Sequence, residues 1–125
     1  MSASVAYVRL FADAQGNSHL EQDLALELTP TNFVPPAPSI YVSALQPATA
    51  CAFLSVPEGY FGDWHPSPKR QWLFFVSGQM EFEVSNGARY LGVPGSRVLL
   101  EDTVGQGHRS RVVGNGPAVM AAVQL

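Results

Sequence analysis

Eleven glycines and ten prolines break this 125-residue chain at short intervals, and that punctuation constrains the fold more than any other feature. Proline removes a backbone donor and glycine favours turns, so helices of ordinary length have little room. Between the breaks lie short runs rich in β-branched and aromatic residues. Strands are predicted over 5–11, 24–28, 40–43, 50–56, 71–76, 80–84, 88–91, 97–100, 108–113 and 118–124. Within 24–28 the residues Leu24, Leu26 and Leu28 alternate with Ala25 and Glu27, a period of two. Ser77-Gly78-Gln79 and Ser85-Asn86-Gly87 read as hairpin turns between consecutive antiparallel strands. Many short strands at nearly regular spacing indicate a sandwich or barrel, not a βαβ fold.

The length suits one domain, 1–125, able to bury a core without disulfides. Apolar residues make up 46% and charged residues 14%, too apolar for disorder and too polar for a membrane protein. A net charge of -3 with scattered basic groups offers no field for nucleic acid or an anionic membrane. The first sixteen residues lack a signal-peptide pattern, so cytoplasmic residence is the expectation. The single cysteine, Cys51, lies among Ala50, Ala52 and Phe53 and reads as a buried thiol. Residues 29–38 contain four prolines and cannot supply a regular ladder; they read as a proline-rich N-terminal arm extended over the sheets.

From Gly59 to Gly78 the chain reads Gly-Tyr-Phe-Gly-Asp-Trp-His-Pro-Ser-Pro-Lys-Arg-Gln-Trp-Leu-Phe-Phe-Val-Ser-Gly. This resembles the first motif of the cupin superfamily, G-x5-H-x-H-x3-4-E-x6-G, in every interval. His65 stands in the first histidine place, Ser67 in the second and Gln71 in that of the glutamate. The second motif, G-x5-P-x-G-x2-H-x3-N, is similar but worn: Gly95 opens it, Glu101 takes the proline place, His108 follows after two extra residues, and Val112 replaces the asparagine. The resemblance covers core motifs within 59–112. It implies an all-β, cupin-type double-stranded β-helix, a jelly-roll barrel with its site inside.

In a metal-binding cupin the resemblance implies three histidines and a glutamate around one ion. Here two imidazoles and a neutral amide remain, a poor divalent donor set. No cofactor is therefore expected; a divalent metal would use His65, Gln71 and His108, with a carboxylate only if Glu101 or Asp102 folds inward. Without metal, His65 and His108 suit proton transfer, and Gln71 suits orientation of a carbonyl or hydroxyl. An isomerase, cyclase or dehydratase acting on a small carbonyl-bearing metabolite fits this set. A metal-dependent enzyme and a non-catalytic metabolite-binding module stay open beside it.

Strand alternation aims His65, Ser67, Gln71, Leu73 and Phe75 inward if the 67–71 bend keeps phase. Tyr60, Trp64, Ser67, Leu73, Phe75 and Glu101 are the expected ligand contacts. His19, in a polar turn, is expected to be exposed. Trp72, Phe74 and Val76 would then face outward, an apolar face suited to a homodimer.

Overall fold

In the computed structural model, which describes residues 3–125, the chain forms eleven strands and no helix among the described residues. They are β1 (Ala3–Ala12), β2 (Ser18–Thr31), β3 (Ile40–Val42), β4 (Ala50–Val56), β5 (Phe61–His65), β6 (Gln71–Ser77), β7 (Gln79–Glu83), β8 (Arg89–Gly92), β9 (Arg97–Glu101), β10 (His108–Val113) and β11 (Ala118–Gln124). Seven form one sheet, in the order β3-β2-β1-β9-β6-β11-β4, and four the other, β5-β10-β7-β8. The sheets pack together without closing into a barrel among the described residues. Among the described residues no helix is long and apolar enough to cross a membrane.

Alternation along the strands builds the core. Leu73 and Phe75 on β6, Val98 and Leu100 on β9, and Met120 on β11 point from the large sheet. They meet Met80 and Phe82 on β7 and Val112 on β10 from the small one. The Phe75 and Phe82 rings pack edge to face across the gap, 6.1 Å between centroids.

The Asn86-Gly87 turn joins β7 to β8 as expected, with Gly87 at φ 86° and the Asn86 side chain accepting from the Ala88 amide. The Gly78 turn does not make a hairpin. β6 pairs with β9 and β11, while β7 pairs with β8 and β10, so Gly78 carries the chain from one sheet to the other. A Cβ on Gly78 would lie 2.2 Å from the Pro117 carbonyl oxygen, so the corner requires glycine. Nor is pairing antiparallel throughout: β1 runs parallel to β9, with Leu10 opposite Leu100.

The proline-rich stretch behaves differently from the expectation. Its first residues extend β2, with Pro30 opposite Tyr41 of β3, and the chain turns back at the rim of the large sheet. Phe33 and Val34 are exposed there, so the arm does not cover the sheets. Cys51 is also exposed, because β4 is an outermost strand with a neighbour on one side only among the described residues. β5 lies outside the predicted strands; Gly62 and Asp63 give it poor strand propensity, and pairing with β10 imposes the conformation. His19 is half-buried, stacked on Phe11 and held 2.7 Å from the Asp13 carboxylate.

Candidate functional site

Two strands of the small sheet bring the histidines together. β5 ends at His65, β10 begins at His108, and these residues are direct cross-strand partners. Their rings lie on one face, 4.9 Å between centroids. Gly107 makes the approach possible. It has φ 73°, and a Cβ there would sit 2.0 Å from the His65 carbonyl oxygen. The loop before it is pinned as well: Gly105 lies against Gly16, and the buried Ser18 hydroxyl donates to the Gly107 carbonyl at 2.6 Å.

Each imidazole is oriented through its Nδ1. The His65 Nδ1 lies 2.6 Å from the Asp63 carbonyl oxygen, which can only accept, so that nitrogen carries the proton. The His108 Nδ1 donates to the Asp102 carboxylate at 2.6 Å, with both side chains buried. Both Nε2 atoms are left without a protein hydrogen bond among the described residues. Asp102 is fully buried and its Oδ1 has no protein hydrogen-bond partner.

The rings open onto a cavity of about 480 Å³ between the sheets. Gln71, Leu73, Leu100 and Met120 line it from the large sheet; Met80, Phe82 and Ser110 line it from the small one. Tyr60 and Leu54 stand in the lining as partly exposed side chains. Gln71 donates weakly through Nε2 to the Ser67 hydroxyl at 3.3 Å. Its carbonyl oxygen and second N–H remain for a ligand. Ser67 is buried, and its hydroxyl donates to the Lys69 carbonyl at 2.6 Å, so it shapes the bend and supports Gln71.

Sequence reasoning placed most of these side chains in one site: His65, Gln71, His108, Tyr60, Ser67 and Leu73 all line the cavity. Three expected contacts lie elsewhere. Phe75 is a core residue against Phe82. Trp64 faces away from the cavity lining, with the Arg109 guanidinium 4.9 Å above its ring. Glu101 forms ion pairs with Arg9 and Arg70 outside the lining. Burial would raise the Glu101 pKa, but hydrogen bonds from Arg70 and Arg9 outweigh it and hold the carboxyl below the usual range.

Asp102 is the residue whose role sequence reasoning left open. The signal was available in the phase of β9: Leu100 faces the cavity, Glu101 the opposite side, and Asp102 returns inward behind His108.

The donor set does not fit a tightly held divalent ion. Among the described residues no three His, Cys, Asp or Glu side chains gather in metal-binding geometry. Asp102 spends one oxygen on the far nitrogen of His108, and Glu101 is committed to two arginines. Two imidazoles and a neutral amide bring no charge to offset a dication.

Fold and site together define an all-β, two-sheet protein with a histidine-lined pocket open to solvent. No family model matches the chain, and no curated protein matches it.

Proposed function

We propose that the chain is a small cupin-type jelly roll that binds a small carbonyl-bearing organic molecule and moves a proton on it, without a metal. The observation that carries this reading is the pair of imidazoles fixed through Nδ1, with both Nε2 atoms free at one cavity. Neutral imidazole is a competent base near pH 7, and its conjugate acid a competent donor. One ring takes a proton from the carbon beside the carbonyl. The electron pair moves into a C=C bond, and the carbonyl oxygen takes a proton from the second ring in its protonated form. Return of a proton to the same or another carbon completes an isomerisation. Loss of a β-hydroxyl as water would make the outcome a dehydration. Gln71 orients the oxygen, and Asp102 supports positive charge on His108.

The test is deuterium incorporation beside the carbonyl of a panel of small ketones in D2O, followed by NMR. Exchange above the buffer rate that disappears in His65→Ala and in His108→Ala is the expected result. Exchange unchanged in both variants removes these histidines from the mechanism. Saturable binding with no exchange makes the protein a binding module, and stoichiometric metal in untagged protein would restore the metal-dependent alternative.

We further propose a homodimer through the outer face of the large sheet. Trp72 is only 6% exposed in one chain, since residues 43–46 lie over it and its indole N–H donates to Gln46 at 2.7 Å. The apolar surface continues past it. Phe74, Ala121 and Phe53 form one cross-strand row, and Phe53 is 81% exposed. Such a surface is suited to a self-complementary contact. A reducing cytoplasm suits the exposed Cys51 thiol and completes the proposal.

A further inference from the structure

The small sheet segregates its charge. On its outer side Glu81 and Glu83 interleave with Arg89, Arg109 and Arg111 in a lattice of ion pairs around a shallow depression. On its inner side the pattern reverses. Among the described residues lining the 480 Å³ cavity, none is a lysine, arginine, aspartate or glutamate. Apolar side chains such as Leu73, Met80, Phe82, Leu100 and Met120 dominate the wall, and its polar side chains are His65, Gln71 and His108 with the hydroxyls of Ser55, Tyr60, Ser67 and Ser110.

This distribution determines what can enter without penalty. A ligand anion would leave water for a wall with no lysine or arginine to meet it, and burying an unpaired charge is expensive. Positive charge carried by His108 is already balanced by the Asp102 carboxylate behind it. A ligand cation fares no better. Asp102 is fully buried behind the imidazole, so it is not presented to the cavity. Lys69, beside the bend at Pro68, is outside the lining.

We infer that the cavity takes a neutral, mostly apolar molecule carrying one carbonyl or hydroxyl, which is held at the His65, Gln71 and His108 end. Phosphorylated, carboxylated and ammonium-bearing metabolites are rejected. This rests on the proposed small-molecule function and names its ligand class. The volume lies in the range of ordinary small-molecule sites.

The test compares four probes on one skeleton with the full wild-type chain at pH 7.5: 2-acetylnaphthalene, 2-naphthoate, 2-naphthylmethylammonium and naphthalene. Calorimetry gives affinity, and the imidazole resonances of His65 and His108 report location. The ketone is expected to bind about tenfold or more tightly than either ion. It should also bind more tightly than naphthalene and shift both imidazole signals. Gln71→Leu should bring the ketone down to the affinity of naphthalene. Should that variant fail to fold, the wild-type resonance shifts still decide whether the ketone reaches the polar end of the cavity. Tighter binding of the naphthoate or the ammonium, still with imidazole shifts, overturns the ligand class while the cavity keeps its binding role. If no probe moves the imidazole signals, the binding role and the inference both fail.

Discussion

Removing the carboxylate behind His108 should destabilise the protein measurably. The Asp102 to His108 hydrogen bond is 2.6 Å long and shielded at both ends, with side-chain exposures of 0% and 5%. A bond to a charged group contributes about 1.5–3 kcal/mol, and an orphaned buried N–H costs about 1–3 kcal/mol. Working against these, Asp102 Oδ1 has no protein hydrogen-bond partner, so Asp102→Ala also removes a poorly solvated oxygen, an offset of about 1–2 kcal/mol. The net expectation for Asp102→Ala is a loss of about 2–3 kcal/mol. With a urea m-value of about 2 kcal/mol/M, the midpoint should fall by roughly 1 M. Asp102→Asn keeps the shape and one hydrogen bond, so it should fall between wild type and alanine. Equilibrium urea unfolding followed by tryptophan fluorescence reads the series. An alanine variant as stable as wild type, or an asparagine variant worse than alanine, would refute the view that this bond anchors the imidazole.

Glu101 gives a pH-dependent counterpart. Its folded pKa lies below the unfolded value, so its stabilisation is present above the unfolded pKa and fades as pH falls through the folded one. Glu101→Gln should cost about 1 kcal/mol at pH 7 and converge on wild type in strong acid; a constant gap across pH would contradict this. Gly107→Ala places a Cβ 2.0 Å from the His65 carbonyl and in a left-handed conformation, so a loss of at least about 2 kcal/mol is expected, with His65 and His108 resonances displaced. Phe53→Asp, at an exposed position, should shift the proposed homodimer to monomer in light scattering; a wild-type chain that is already monomeric at micromolar concentration would count against the interface.

Much of this arrangement was legible from the residues. β4, β10 and β11 have the bounds their apolar runs predict: Pro47 and Pro57 flank β4, Gly107 and Gly114 bound β10, and Pro117 precedes β11. His65 and His108 do meet, but through the pairing of β5 with β10 and not through spacing along one strand. Other features depend on partners that no local pattern names. The Gly78 turn has the same chemistry whether the next strand pairs back or changes sheet. Cys51 lies in an apolar run, yet its exposure follows from β4 being outermost, which is a property of sheet order. Glu101's ion pair with Arg9, 92 positions distant in sequence, is likewise written in no local pattern, although alternation from Leu100 already turns Glu101 from the cavity. Asp102 differs from these: alternation from Leu100 was enough to find it.

The two imidazoles ride on supports of unequal strength. β10 is flanked on both sides, by β5 and β7, whereas among the described residues β5 has β10 as its sole sheet neighbour. Peripheral strands are the first to fray, so amide protons of β5 should exchange with solvent ahead of those of β10. Each such excursion would carry one imidazole off while its counterpart stays seated on Asp102.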